Sequence, residues 1–282
     1  MTRIAVLGQG FIGGRLHARL ENATLLAVDI TDRRALAETL RDGNFDVVIN
    51  TAAKTGRPNV DWCESHQSET LRANVIGALT VAEVCEQLGA YLLHLGSACV
   101  FFGRAPHGNG WAEDDFANPQ SFYTRTKYAA ELVLEALPNV AIVRVRLPLD
   151  NRPGPRNFIT KLAAYRTVVD ATNSATVVDD LVSAIDTIVS QRATGVFHAT
   201  NPGLLTNQRV LELYRKYVDP RHQYELVTEA ELYARGLAIA PRSNCEVACT
   251  RLEELGVRFE HIDSALDSTL RKYGEHFRSE RY

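Results

Sequence analysis

The sequence lacks the features of several specialised classes of protein. No apolar run reaches the ~18 residues that a membrane-spanning helix needs, so we expect no membrane segment. Lysine and arginine number 31 against 34 acidic residues, and a net charge of −3 is not that of a dedicated nucleic-acid binder. The five cysteines are an odd number without zinc-like spacing, which argues against a disulfide framework and a metal site.

The remaining composition is that of an ordinary globular chain. Hydrophobic residues make up 45% and charged residues 23% of the 282, enough for one large domain or two small ones. A strand pattern begins at Ile4 and leaves no room for a signal peptide, so we expect a cytoplasmic protein with reduced thiols. Only five of the 31 basic residues are lysines, which makes a lysine within a motif informative.

Short apolar runs alternate with helical patterns through the first half of the chain. The runs predict strands at 4–7, 25–28, 47–49, 91–95 and 141–147. The helical patterns lie between them, at 11–20, 35–40, 71–88 and 123–137. After a loop rich in turn formers, a helix at 177–189 and a strand at 196–198 return to the sheet. Apolar strands separated by helices predict an α/β fold with a doubly wound parallel sheet.

The first strand is followed by a G-x-G-x-x-G pattern. Its glycines are Gly8, Gly10 and Gly13, with Phe11 and Ile12 between them. In the strand–turn–helix context, glycines allow a tight turn and a close backbone approach to a pyrophosphate at the helix N-terminus. We therefore predict that these five residues bind a dinucleotide in a Rossmann-type domain.

A tyrosine and a lysine four residues apart form a second motif. Tyr123 and Lys127 fit Y-x-x-x-K, and positions i and i+4 share one face of a helix. An ammonium beside a phenol favours the phenolate, so we expect a lowered pKa for Tyr123 and a general acid near neutral pH. Ser97 follows a predicted strand, at the sheet edge where ligands bind, and its hydroxyl would share a substrate oxygen with Tyr123.

These residues together resemble the extended short-chain dehydrogenase/reductase superfamily. Within it, the chain resembles the dTDP-4-dehydrorhamnose reductase group, and particularly the nucleotide-rhamnose synthases (epimerase-reductases) of plants and some viruses. The stretches that carry the likeness are 55–66, 156–161, 200–203 and 240–244. The resemblance implies a cytoplasmic enzyme that uses NADPH, with NADH possible, and a dimer is the commonest arrangement of such chains.

The cofactor contacts follow from the same likeness. Asp29 allows two interpretations: a carboxylate on the ribose 2′-hydroxyl, which favours NAD, or the first residue of a D-[LIV]-x-D stretch that holds adenine. We favour the second, with the amide of Ile30, because it leaves NAD and NADP both open. The further cofactor residues are Ala52, Ala53, Asn74 and Lys127.

The resemblance also implies a substrate and two catalytic bases. Enzymes of this group act on a nucleotide-linked 4-keto-6-deoxyhexose, invert C3 and C5, and reduce the C4 ketone. Cys99 matches a cysteine of the bifunctional enzymes, where reductase-only relatives have tyrosine, and Lys161 would serve the opposite face of the ring. The expected nucleotide-diphosphate contacts are Arg57, Asn59, Asn157, Arg242 and Asn244.

We expect two units in the chain. Residues 1–149 with 175–199 would form the dinucleotide-binding domain, and 150–174 with 200–282 a smaller, mostly helical substrate domain. Two alternatives to the bifunctional enzyme stay open from sequence: a reductase without epimerase activity, and a non-catalytic cofactor-binding subunit. The intact Tyr123–Lys127 motif argues against the second.

Overall fold

The computed structural model describes residues 2–279 and contains eleven strands and twelve α-helices among them. The strands are β1 (Ile4–Leu7), β2 (Ala23–Leu26), β3 (Val47–Asn50), β4 (Tyr91–Ser97), β5 (Val140–Val145), β6 (Pro148–Leu149), β7 (Thr167–Val169), β8 (Thr172–Val177), β9 (Gly195–Ala199), β10 (Asn201–Thr206) and β11 (Glu225–Val227). The helices are α1 (Phe11–Arg19), α2 (Arg33–Gly43), α3 (Asp61–Ser65), α4 (Gln67–Leu71), α5 (Gly77–Leu88), α6 (Phe122–Leu134), α7 (Phe158–Ala163), α8 (Val178–Gln191), α9 (Asn207–Tyr217), α10 (Glu229–Ala234), α11 (Arg251–Glu254) and α12 (Ile262–Ser279).

Six parallel strands form the central sheet, in the order β2-β1-β3-β4-β5-β9. The apolar residues of each strand alternate between the two faces. Ile4 and Val6 of β1 join the core under α1 and α8, whereas Ala5 and Leu7 join the core under α2, α5 and α6. Because both faces are buried, the strands read as continuous apolar runs. The predicted doubly wound parallel sheet is confirmed.

A third core lies beside the sheet domain. It is built on α7, α9 and α12 with the strands β6, β8 and β10, and it buries Leu149, Ile159, Leu211 and Leu266. Helices predominate in this unit, as expected, and three- and two-stranded sheets accompany them. These strands have two to six residues and carry polar side chains, so they leave no periodic apolar signal.

The segment around α11 packs differently from the expected division of the chain. Leu252 is buried in the core beneath α1 and α8, and Cys249, Leu255, Val257 and Phe259 pack against the same core. This stretch of the C-terminal part therefore returns to the sheet domain, because its apolar residues find their neighbours there. No helix within residues 2–279 combines the length and apolarity that crossing a bilayer requires.

Candidate active site

The glycine-rich turn is shaped by contacts that only glycine permits. Gly8 has φ +98°, and a Cβ there would lie 2.7 Å from the amide nitrogen of Ala52. A Cβ on Gly13 would lie 2.0 Å from the Gly8 carbonyl oxygen, so the first and last glycines allow the turn to close on itself. Gly10 differs, because a Cβ there would meet nothing within 4 Å of this chain. Its bare backbone keeps the approach to the turn open.

The first turn of α1 fits a bound pyrophosphate. Gly10 caps the helix without any side-chain hydrogen bond, and the first turn contains no acidic residue. The first amides of a helix have no partner inside it, and their N–H groups attract an anion together with the helix dipole. The predicted contacts of Gly8, Gly10, Phe11, Ile12 and Gly13 are therefore sterically and electrostatically consistent with a dinucleotide.

The two neighbouring strand ends supply the rest of this edge. After β3, the amide of Ala52 donates to Asn50 Oδ1 at 3.1 Å, which places Ala52 against Gly8, and Ala53 is exposed beside it. After β2, Asp29 accepts hydrogen bonds from the amide and hydroxyl of Thr31, both at 2.8 Å, which lower its pKa. The next residue, Ile30, is buried. Asp29 therefore stays ionised and exposed at the end of its strand.

The N-terminus of α6 places Tyr123 at the sheet edge. Ser121 and Thr124 form a reciprocal capping box, and Glu64 Oε1 accepts from the amide of Phe122 at 2.7 Å. The Tyr123 phenol is buried and hydrogen-bonded to Ser97, the last residue of β4. These contacts bring the predicted Ser97–Tyr123 pair together.

The pKa of Tyr123 differs from the expectation. Burial raises it, and a nearby Cys99 thiolate would raise it further, whereas the hydrogen bond from Ser97 lowers it. Burial is the largest cause of the difference, and the neighbouring Lys127 Nζ donates to the Leu95 carbonyl oxygen at 2.8 Å. In this structure Tyr123 is held protonated, which suits the proton donor of a reduction.

Lys127 lies in a buried polar chain that includes a histidine. Its Nζ is 3.1 Å from His94 Nε2, and His94 Nδ1 is 3.2 Å from Asn50 Nδ2. Burial lowers the pKa of Lys127 to about 8, partly offset by the charge of Glu131. Burial and the Lys127 charge hold the pKa of His94 well below its usual range. His94 is therefore neutral and holds Lys127 in place.

Asn74 acts through the main chain. It lies in a π-helical turn (Arg72–Ile76) between α4 and α5 and is buried. Its Oδ1 accepts from the amide of Lys54 at 2.7 Å, and its Nδ2 donates to the Lys54 carbonyl and to Thr126 Oγ1. A direct cofactor contact was expected for Asn74. Its side-chain amide instead hydrogen-bonds to Lys54 and Thr126 and so holds the loop after β3 against α6.

A cavity of about 540 Å³ opens beside Tyr123. Cys99 lies in a 3₁₀ turn (Ala98–Val100) whose other two residues are fully buried, so the turn is anchored and Cys99 lines the cavity. Lys161 lines it from α7, which is anchored by Ile159 and Leu162 in the third core. The structure thus brings Cys99, Tyr123 and Lys161 to one cavity, as the sequence predicted.

The environment of Lys161 favours loss of its proton. Burial lowers its pKa, the positive charges of Arg156 and Arg242 lower it further, and a thiolate at Cys99 would raise it. Arg156 is fixed nearby, because its Nη1 donates to Thr55 Oγ1 at 2.9 Å and to the Gly56 carbonyl at 2.7 Å. Lys161 therefore differs from a solvated lysine, and its proton can be given and taken.

The predicted substrate residues divide into two groups. Asn59, Arg242 and Asn244 line the cavity. Arg242 also forms a two-point ion pair with Asp61, at 2.9 and 2.7 Å, and Asn244 Nδ2 donates to Glu229 at 3.1 Å. Arg57 is exposed and lies near Arg156. Burial lowers the pKa of the Arg156 guanidinium, and the charge of Arg57 lowers it further.

Asn157 has another function than the expected diphosphate contact. It is fully buried and caps α7, with Oδ1 accepting from the amide of Ile159 at 3.1 Å. Its Nδ2 donates to the carbonyls of Asp150 and Arg152, both at 2.8 Å. The side chain is therefore committed to the helix that carries Lys161.

Three site residues escaped prediction: His94, Arg146 and Arg156. His94 and Arg144 are polar residues inside apolar strands, and Arg146 follows Arg144 at the strand end, a pattern that could have marked them. Arg156 lies within a stretch that carried the family likeness but gave no local signal of its own. Within residues 2–279, no group of three or more His, Cys, Asp or Glu residues is arranged to hold a metal ion.

Comparisons with known proteins agree with this geometry. The family described as the RmlD substrate binding domain matches residues 2–273. The bifunctional dTDP-4-dehydrorhamnose 3,5-epimerase/dTDP-4-dehydrorhamnose reductase of Arabidopsis thaliana is 38% identical over 254 residues, which cover 86% of this chain and 84% of that protein. The trifunctional UDP-glucose 4,6-dehydratase/UDP-4-keto-6-deoxy-D-glucose 3,5-epimerase/UDP-4-keto-L-rhamnose-reductase of the same plant is 38% identical over 231 residues, which cover 80% of this chain and 34% of that protein.

Solved structures share the whole fold. The UDP-rhamnose synthase of Acanthamoeba polyphaga mimivirus superposes with a TM-score of 0.88 at 24% identity, covering 96% of this chain and all of that one. The dTDP-4-dehydrorhamnose reductase of Bacillus anthracis, solved in complex with NADP, gives 0.81 at 21% identity, covering 95% of this chain and 99% of that one.

The doubly wound parallel sheet and the glycine-rich turn before α1 define a Rossmann-type fold. The family match extends from residue 2 to residue 273. The chain therefore belongs to the family of the RmlD substrate binding domain.

Proposed function

We propose that this protein is an NADPH-dependent 3,5-epimerase/4-reductase that converts dTDP- or UDP-4-keto-6-deoxy-D-glucose to the β-L-rhamnose nucleotide. The observation that carries the proposal is one cavity that Tyr123, Cys99 and Lys161 line together. The names of the relatives support the substrate class, and the NADP complex of a fold neighbour supports the cofactor.

Inversion at C3 and C5 begins with loss of a proton next to the C4 ketone. Cys99 takes the proton, and the electron pair moves onto O4, where the hydroxyls of Ser97 and Tyr123 stabilise the enolate. Lys161, on the other side of the ring, donates a proton to the same carbon. The net result is an inverted centre, with no change in oxidation state.

Reduction uses the same hydroxyls. NADPH, when bound, supplies a hydride to C4. Tyr123, held protonated by burial, donates its proton to O4, and Ser97 stabilises the developing alkoxide. Lys127, one turn along α6, provides the positive charge that favours the resulting phenolate. The residues that serve the enolate therefore serve the alkoxide as well.

The substrate nucleotide fits the remainder of the cavity. Arg242 and Asn244 line it next to Lys161, and the surrounding wall is largely apolar, with Leu162, Val168, Leu232 and Leu237. Arginine suits the diphosphate because it pairs with two oxygens, while apolar residues suit the base and sugar faces. In this proposal the Arg242 guanidinium binds both the Asp61 carboxylate and the diphosphate.

Exchange in deuterated water tests the epimerase half. Incubated with the 4-keto sugar and no reductant, the wild type should introduce deuterium at C3 and C5, whereas Cys99→Ala and Lys161→Met should each lose exchange by about 10²-fold or more. Cys249→Ala and Lys216→Met are the matched controls, because neither residue lines the cavity.

The reductase half is measured separately, by NADPH and NADH oxidation with the 4-keto-rhamnose nucleotide. Both cavity variants should keep this reduction, while Tyr123→Phe should lose it. Reduction by the wild type without any exchange would contradict the bifunctional proposal and leave a reductase alone. Absence of nicotinamide oxidation with every 4-keto nucleotide sugar would contradict both and favour a non-catalytic subunit.

A further inference from the structure

Arg146 lies directly behind Cys99. It follows β5, is 1% exposed, and its Nη1 donates to Cys99 Sγ at 3.0 Å. The same nitrogen donates to Ser243 Oγ at 3.1 Å. Nη2 donates to Asn173 Oδ1 and to the Ser243 carbonyl oxygen. The guanidinium is therefore fixed in one orientation, with Nη1 directed at the sulfur.

No carboxylate balances this charge. Among the ion pairs within residues 2–279, none includes Arg146, and its Nε is buried without a hydrogen-bond partner. Arg144, two residues earlier, is equally buried but pairs with Glu131 at 2.5 Å. A buried guanidinium is costly without an anion, and the acceptors around Arg146 are neutral oxygens and the sulfur of Cys99. The sulfur is the one group in this set that can become an anion.

We propose that Arg146 is a positioning residue whose charge holds Cys99 as a thiolate, the form in which the sulfur acts as a base. The proposal deepens the proposed function and rests on it for the reaction. Arg146 borders the same cavity, but its side chain is 1% exposed and its Nη1 is directed at the Cys99 sulfur. It acts through the sulfur, which it both orients and stabilises.

The proton balance of the inversion follows from this arrangement. The thiolate takes the proton from C3 or C5 and becomes a thiol, while the C–H electron pair moves to the enolate. The Lys161 ammonium gives its proton to the carbon and becomes an amine. Transfer of the thiol proton to solvent and uptake of a proton by the amine restore the starting state. No oxidant or reductant takes part.

Other titratable groups also face Cys99. Lys161 approaches from α7, Tyr123 from α6 and Cys245 from the segment after Asn244, and each interacts electrostatically with the Cys99 sulfur. Lys161 is a second cation that could favour the thiolate. However, burial and two neighbouring arginines lower its pKa, so its charge is lost more readily than that of Arg146. An experiment must therefore separate the two cations.

The test measures alkylation of Cys99 by iodoacetamide against pH, in the full-length protein without substrate. The labelled peptide is quantified by mass spectrometry, since the other cysteines are separate peptides or deeply buried. The midpoint in Arg146→Gln should lie at least about one pH unit above that of the wild type, a tenfold change in ionisation. Arg146→Lys, which keeps the charge, should lie between them. Arg166→Gln, which removes an exposed cavity arginine, should match the wild type.

Two outcomes would overturn the proposal. One is an equal midpoint in the wild type and Arg146→Gln, and the other is a shift in Lys161→Met with none in Arg146→Gln. Should Arg146→Gln not fold, the wild type still decides: its Cys99 midpoint must lie below that of free N-acetylcysteine. Alkylation requires no turnover, so failure of the proposed function in the exchange assay leaves this result readable on its own.

Discussion

Lys127 is buried and Lys161 half-buried, and the two side chains stand in different electrostatic surroundings. Burial lowers the pKa of both side chains. Glu131 partly restores the charge of Lys127, whereas Arg156 and Arg242 oppose the charge of Lys161. In the proposed reaction Lys127 serves as a cation for the reduction, and Lys161 gives and takes a proton. The second role suits lysine in a chain that mostly uses arginine, because arginine stays protonated.

The pH dependence of reduction should report Lys127. Because burial raises the pKa of Tyr123, the phenol stays protonated through the working range, and the alkaline decline belongs to the lysine, whose pKa is about 8. We expect kcat/KM to fall as the pH rises through about 8. Initial rates with the 4-keto-rhamnose nucleotide check this.

The matched variant is Lys127→Arg. Arginine stays protonated, so this variant should be slower but free of the alkaline decline. A wild-type rate that stays constant to pH 10 would contradict the charge role of Lys127.

The elements of the sheet domain were largely predictable from sequence because each strand is a continuous apolar run and each helix has an apolar stripe. The ends of these strands and helices were less predictable. The predicted helix at 71–88 is interrupted by a π-helical turn, and Ala23–Leu26 begins two residues before the predicted strand. Local sequence patterns indicate which residues are buried. They do not indicate where a strand ends or where a helix takes in an extra residue, because these depend on contacts between distant residues, such as that of Asn74 with Lys54.

Gly13 and Gly14 offer a matched test of the turn before α1. Gly13→Ala would place a methyl 2.0 Å from the Gly8 carbonyl oxygen, so we expect a loss of about 1–3 kcal/mol in the free energy of unfolding and weaker NADPH binding. Gly14→Ala meets nothing within 4 Å and lies in α1, so it should stabilise by roughly 0.5–1 kcal/mol. Denaturant unfolding and dinucleotide titration measure both, and equal effects of the two would contradict the steric argument.

At the scale of the molecule, the site exists only where two parts of the chain meet. Cys99 and Tyr123 come from the sheet domain, and Lys161 comes from a helix on the third core. The sequence supplied each of these residues through motif or family likeness. The role of Arg146 could not be predicted from sequence, because its contacts with Cys99, Asn173 and Ser243 join three distant stretches of the chain. Asn157 was misplaced because a cap and a ligand contact look alike in sequence.

The Asp61–Arg242 pair joins α3 to the segment after α10, and its removal should destabilise the fold. Burial alone would raise the pKa of Asp61, but hydrogen bonds from Arg242 and the Ala240 amide hold it below its usual value. We expect Asp61→Asn to lower the free energy of unfolding by roughly 1–3 kcal/mol near neutral pH. Because the folded-state pKa is depressed, the difference from wild type should shrink as the pH falls below about 4.

The control for this variant is an exposed pair. Arg235 and Glu225 lie 3.0 Å apart at the surface, and Glu225→Gln should cost less than about 1 kcal/mol. Urea unfolding at several pH values compares the two variants. An equal loss of stability in both variants, or a loss in Asp61→Asn that grows on acidification, would show that the Asp61–Arg242 pair stabilises the fold no more than an exposed ion pair does.

The π-helical turn at Arg72–Ile76 has a consequence for how the chain tolerates insertions and deletions. Each residue of a regular helix turns by about 100°, so the one extra residue in this turn sets the angular register of everything that precedes it relative to α5. Deleting a single residue there would restore ordinary winding and swing the amide of Asn74 away from the backbone of Lys54. A length change of one residue in this turn would thus misplace the loop after β3, while a substitution on the exposed side of the same turn should have little effect.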